Sequence, residues 1–165
     1  MMLTTEECTT EVRLMARRTA LLFAAFAETL LDEFGEEQAR RLISKAVWSY
    51  GQACGRAVRA EVERQGLEIN QENYAKARDL PRLGWEGSSL TTPEGEVHPI
   101  VTYCPLADVF KSLGPNMQKL GRLYCAVDQA KQQAYLPEME CIHVKNVLDG
   151  DAFCEFQYRP VKMPE

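Results

Sequence analysis

Residues 138–159 read EMECIHVKNVLDGDAFCEFQYR, and this stretch decides the fold. Two runs rich in β-branched and aromatic residues, Glu138 to Leu148 and Asp151 to Arg159, flank Asp149-Gly150. An Asp-Gly pair between such runs signals a β-hairpin, because its tight turn needs residues that tolerate positive φ. A two-residue turn sets Lys145 opposite Cys154, His143 opposite Phe156 and Cys141 opposite Tyr158. Side chains alternate between the faces of a strand. One face therefore carries Cys141, His143, Lys145, Cys154, Phe156 and Tyr158, and the other Ile142, Val144, Leu148 and Phe153. Lys145 beside Cys154 could hold a thiolate or simply be solvated. His143 fits a hydrogen-bonded strand residue as well as a catalyst.

Working outward, Trp85–Thr91 and Val97–Tyr103 read as two more strands, joined through Pro93-Glu94-Gly95. Pro105 opens a short helix to Leu113. Gly114-Pro115-Asn116 then breaks the chain and starts a longer helix to Tyr135, with Asn116 as its cap and Pro137 as its stop. The first half is helical. Val12, Met15, Ala16, Leu22, Phe23, Phe26, Leu30 and Leu31 recur at helical spacing in a helix over Thr9–Phe34, which Gly35 ends. A second helix fits Glu36–Gln65, with small residues Gly51, Ala53, Cys54, Gly55 and Ala57 where a neighbouring backbone can approach closely. A third, capped by Asn70, runs to Asp79. The expected fold is α+β: a helical N-terminal half packed on a small antiparallel sheet with inserted helices and a C-terminal β-hairpin. It forms a single domain over residues 1–165, helical over 1–80 and site-bearing over 81–165.

At 165 residues, with 45% hydrophobic and 26% charged residues, the chain is long enough to bury a core and is not of disordered composition. Its net charge of -5 offers no basic field, so nucleic acid is not an expected partner. The longest apolar run, Ala20 to Ala27, is too short to cross a bilayer, so no membrane partner is expected. The opening MMLTTEEC lacks the basic segment of a secretory leader, so the expected location is cytoplasmic, with the six cysteines reduced.

Chemistry-bearing residues concentrate in the second half. Cys104 precedes Pro105, which places it at a helix N-cap, where unpaired amides and the helix dipole favour thiolate. Alternatively, it is a small residue closing a strand. Cys125 and Asp128 are three apart on the expected helix, putting thiol and carboxylate on one face, with Tyr135 on that side two turns along. A carboxylate among apolar neighbours needs a donor or a cation, for which an amidinium is suited; a partly exposed Asp128 beside a core Cys125 is the plainer alternative. With two histidines, a His-rich metal site is excluded, and no Walker loop, GxSxG, HExxH or CxxC motif is present. Zinc held by Cys104, Cys125, Asp128 and Cys154 is chemically allowed.

The order Cys104-Pro105, Cys125-x-x-Asp128 and Gly150-Asp151-x-x-Cys154-x-Phe156 resembles the L-2-amino-thiazoline-4-carboxylic acid hydrolase family. The C-terminal block is also similar to 4-vinyl-reductase-type small-molecule-binding domains, some of which bind zinc. The first resemblance implies a hydrolase that opens a cyclic isothiourea bearing a carboxylate, with a small-molecule substrate and no cofactor. It fits Cys104 as nucleophile, Cys125 as the second choice and Asp128 orienting the amidinium, with Cys154, His143, Lys145 and Tyr124 around the substrate. Arg122 or Lys145 would receive its carboxylate. The second implies a non-enzymatic ligand-binding or sensor domain, in which zinc would sit on the cysteines. The two long N-terminal helices, each able to offer a second apolar stripe, suggest a homo-oligomer.

Overall fold

Thr4 opens the first helix earlier than its apolar stripe predicts. Its hydroxyl accepts from the Glu7 amide at 3.2 Å, while the Glu7 carboxylate accepts from the Thr4 amide at 2.7 Å. This reciprocal capping box starts α1, Thr5–Arg64. Gly35, at φ 71° and ψ 170°, breaks α1 into two arms, as its place in the sequence leads one to expect. The computed structural model describes residues 2–81 and 83–161; Met1 and 162–165, at the ends of the expected single domain, lie outside the described residues.

The first arm buries a ridge of small residues, Ala16, Ala20, Ala24 and Ala27, the last three in one cluster with Phe110, Met117 and Leu120. Met15, Leu22 and Phe26, expected in the core, are exposed instead. Close packing of helices favours the alanine ridge, because it lets the axes approach. In the second arm Gly51 and Gly55 do what their position suggested. A Cβ on Gly55 would lie within 2.8 Å of the Ala134 Cβ, and one on Gly51 would stand 2.7 Å from both the Val127 carbonyl oxygen and the Ala130 Cβ. The neighbour they admit is the helix over Val127–Tyr135.

Beyond α1, Asn70 caps only a single turn, α2, Gln71–Tyr74, rather than a helix to Asp79. The chain leaves helical geometry after Ala75, and Asp79 reaches across to pair with Lys131. β1, Glu86–Thr91, and β2, Val97–Tyr103, form a hairpin through Gly95 at φ 87°. Arg13 ties α1 to this edge: its guanidinium binds Glu86 at 2.7 Å and lies 4.4 Å above the Tyr103 ring. Three helices then intervene: α3, Pro105–Ser112; α4, Pro115–Tyr124; and α5, Val127–Tyr135. Gly114, at φ 100°, rather than Asn116, occupies the N-cap of α4, with Pro115 at the first helical position. The expected helix to Tyr135 is split because Cys125 and Ala126 donate to carbonyls three residues back, tightening the turn.

β3, Met139–Lys145, and β4, Cys154–Pro160, complete an antiparallel sheet of order β1-β2-β4-β3. Cys141 faces Tyr158 and His143 faces Phe156, as the hairpin reading predicts. The expected pairing of Lys145 with Cys154 is wrong. A bulge after His143 sets Lys145 opposite Glu155, with which it makes a 2.9 Å ion pair. The connection is not a two-residue turn but a loop over residues 146–153. Within it, the Asn146 side chain accepts from the Leu148 amide, the Asp151 carboxylate accepts from the Asn146 amide, and Gly150 supplies a positive φ. Gln118 and Arg122 anchor this loop to α4 through Leu148 and Asp149, each at 2.7 Å. α+β is thus the observed class, with the helices inserted between β2 and β3.

Candidate active site

Between α1, α3, α5 and the sheet lies a cavity of about 610 Å³. Its walls are mostly apolar: Val12, Ala16, Leu80, Trp85, Leu106 and Phe110 contribute to them. Met15, Leu80 and Tyr50 are substantially exposed, so they mark its opening. Into this space face Cys104, Cys125, Cys154, Asp128, His143 and Tyr124. Six of the seven residues singled out from the sequence therefore meet in one cavity. Lys145 does not: the bulge turns it to the far side of the sheet, against Glu155 and the Phe153 ring. Arg122 is likewise engaged elsewhere, by Asp149. Among the described residues, Lys131 is the lysine or arginine that lines the cavity.

The polar centre is built by α5, β3 and the loop after it. Asp128 sits in the first turn of α5 and remains partly open, with 38% side-chain exposure, whereas His143 is 2% exposed. Asn146 determines how the imidazole is used. The Asn146 Oδ1 accepts from the Leu148 amide at 2.9 Å, so its Nδ2 must be the atom 3.1 Å from His143 Nδ1. That amide donates to Nδ1, so the imidazole proton resides on Nε2 and points at Asp128 Oδ2, 3.1 Å away. The His143 ring also packs edge-on to Phe156 at 4.7 Å. Among the described residues nothing donates to Asp128 Oδ1, so a braced carboxylate keeps one oxygen for a ligand.

The thiols depart from the sequence expectation. Burial pushes the Cys104 thiol up, although the amides of Ala107 and Leu106 and the Trp85 indole pull the other way. The helix N-terminus thus tempers the cost of burial without overcoming it. Burial also raises Cys125, to about 12, with Asn146 opposing. Cys154 is raised by burial as well, its sulfur accepting from the Val147 amide at 3.5 Å. Cys104 has the largest set of compensating donors of the three. All six cysteines are unpaired. Among the described residues no three His, Cys, Asp or Glu side chains gather as a metal would require.

A family model described as L-2-amino-thiazoline-4-carboxylic acid hydrolase matches residues 15–158. The chain belongs to the L-2-amino-thiazoline-4-carboxylic acid hydrolase family. The match spans both arms of α1, the sheet and every residue at the polar centre. No curated protein matches. Among solved structures, a trafficking protein particle complex subunit 3 from Naegleria fowleri, covalently bound to palmitic acid, aligns with a TM-score of 0.57 at 16% identity. The alignment covers 90% of this chain and 96% of that one, a likeness of fold.

In this member of the hydrolase family, the sequence reading missed a second polar group in the cavity. Lys131 lies one turn from Asp128 on α5 and is almost fully buried, in an ion pair with Asp79 and 5.4 Å above the Tyr74 ring. Burial works against the Lys131 ammonium, but Tyr74 and Asp79 outweigh it and its pKa lies above the usual value. The three-residue spacing from Asp128 was the available signal for Lys131. Asn146 had none, because its role depends on the bulge that precedes it.

Proposed function

We propose that the chain hydrolyses a small cyclic amidine or isothiourea, with Asp128 holding the amidinium and Cys104 attacking the carbon between its heteroatoms. One observation carries the reading: in a largely apolar cavity lined by Cys54, Cys104, Cys125 and Cys154, a carboxylate braced by His143 keeps an oxygen free. Charge-assisted hydrogen bonds to that oxygen would orient an amidinium, and they gain strength where water is excluded. The raised thiols fit this chemistry. A neutral amidine entering the cavity accepts the Cys104 proton, giving an amidinium paired with Asp128 and a thiolate beside it. The thiolate then adds to the amidinium carbon. The ring bond to sulfur or nitrogen breaks, the leaving atom takes up a proton, and water displaces the cysteine from the remaining carbon. Lys131 is the described cation within reach of a substrate carboxylate.

Ring opening of 2-amino-thiazoline-4-carboxylate, followed by release of its carbamoyl product, tests this. Cys104→Ser should lose turnover while keeping its circular dichroism spectrum, and Asp128→Asn should lower kcat/KM by about 10²–10³. Full activity in both Cys104→Ser and Cys125→Ser would end the thiol mechanism.

A second reading, a non-catalytic binding domain, is favoured by the burial that raises the pKa of every thiol lining the cavity, Cys54, Cys104, Cys125 and Cys154. The Naegleria subunit of the same fold holds palmitic acid covalently. Under this reading ligands bind without turnover. Elemental analysis of the purified protein tests its zinc-bearing form.

A further inference from the structure

The cavity is too large for the ring that its polar centre suits. A water molecule takes about 30 Å³ of liquid, and a methylene occupies a similar share, so 610 Å³ holds about 20 non-hydrogen atoms. A carboxylated aminothiazoline has about nine. Roughly half of the space is left over. Most of the polar groups of its interior stand together. Asp128, His143 and Asn146 come from α5, β3 and the loop behind it, and the Asp79–Lys131 pair adjoins them one turn along α5. The walls from α1 and the 80–85 segment are largely apolar, through Val12, Met15, Ala16, Leu80 and Trp85, with Glu11 and Thr19 exposed at the rim. Met15 and Leu80 keep this character at the opening, where 63% and 50% of their surfaces are exposed. An apolar tail passing these side chains would cover part of that surface.

We infer that the substrate is amphipathic: an amidine-type head on Asp128 carrying an unbranched apolar tail of about ten atoms along α1 and Leu80. The head rests on the reading proposed above; the tail rests on volume and wall chemistry alone. A tail in this subsite also keeps water from the head, which strengthens the Asp128 contact.

A series of n-alkylamidines from acetamidine to dodecanamidine, titrated calorimetrically into the full chain, tests both parts. Each added methylene should tighten binding about fourfold, the equivalent of about 0.8 kcal/mol, until the chain reaches about ten carbons. Met15→Gln and Leu80→Gln, at exposed positions where folding is not at risk, should flatten this slope. Asp128→Asn should weaken every member by a similar factor and leave the slope intact. A flat series with measurable acetamidine binding overturns the tail subsite while the head reading survives. A steep series that neutral alkylamides reproduce, and that Asp128→Asn leaves unmoved, overturns the amidine head and with it the amphipathic substrate. No binding by any member overturns both.

Discussion

Gly55→Ala probes the contact on which the cavity depends. The added methyl would lie 2.3 Å from the Lys131 carbonyl oxygen, 3.1 Å from its carbon and 2.8 Å from the Ala134 Cβ. Ordinary contact begins at about 3.4 Å, so α1 and α5 must separate by about 1 Å, and no flexible side-chain end is available to give way. Overpacking of this kind costs about 1–3 kcal/mol, and the better helix propensity of alanine returns about 1 kcal/mol. The net expectation is a loss of up to about 2 kcal/mol, a fall in Tm of up to several degrees for a chain of this length. The second consequence concerns the site. The displaced backbone is that of Lys131, whose side chain holds Asp79 at the cavity, so acetamidine affinity should change as well. Urea denaturation measures the first effect and calorimetric titration the second. Ala57→Gly, on the exposed side of the same arm, isolates propensity and should cost about 1 kcal/mol without touching affinity. A Gly55→Ala variant more stable than the parent by about 1 kcal/mol, the gain that propensity alone gives, would refute the close approach of α1 to α5.

Three further outcomes follow from the same geometry. His98 is raised chiefly by the Glu155 carboxylate 2.7 Å away and further by Glu96, while Glu155 and Glu96 are lowered by their partners, His98 and Lys145 or Gln157 among them. The histidine therefore contributes stability below its unfolded pKa of about 6.5 that is lost as pH rises through its higher folded value; the two glutamates contribute stability above about 4.5 that is lost on acidification. Urea midpoints should peak between these limits, and His98→Gln should remove the alkaline decline. Asn146→Ala leaves Nδ1 of His143 without its donor and frees the imidazole to turn, so kcat should fall by about 10–100-fold with the fold preserved, read against a smaller change in KM. Cys141, buried and raised to about 12, should resist N-ethylmaleimide at pH 7.5 until the protein unfolds, whereas Cys104 labelling should accelerate as pH rises. Rapid labelling of Cys141 in the native state would contradict its burial.

Much of the fold was legible in residues whose conformational demands are local. Gly35 ends a helical arm, Asn70 caps a turn, Pro105 starts α3, and the alternation of Cys141, His143, Phe156 and Tyr158 assigned a face to both strands of the hairpin. Gly51 and Gly55 announced a close neighbour because small residues in a helix leave room that another backbone can take. The gathering of Cys104, Cys125, Asp128 and Cys154 was expected from the family resemblance, and those residues do line one cavity.

Other features were decided only when distant segments met. Lys145 points away from the site because a bulge, a property of two strands in register, reverses its face. The Cys104 thiol is raised rather than lowered because the helix end that favours thiolate is itself buried, and desolvation is set by surrounding packing. The bracing of Asp128 by His143 and Asn146, the Asp79–Lys131 pair and the size of the cavity each depend on groups 15 to 52 residues apart in sequence or on several elements at once. Sequence alone determined which residues could do chemistry, through periodicity, caps and turns that act within a few residues. Tertiary structure decided their surroundings, because burial and hydrogen-bond partners are supplied by whatever the folded chain brings alongside.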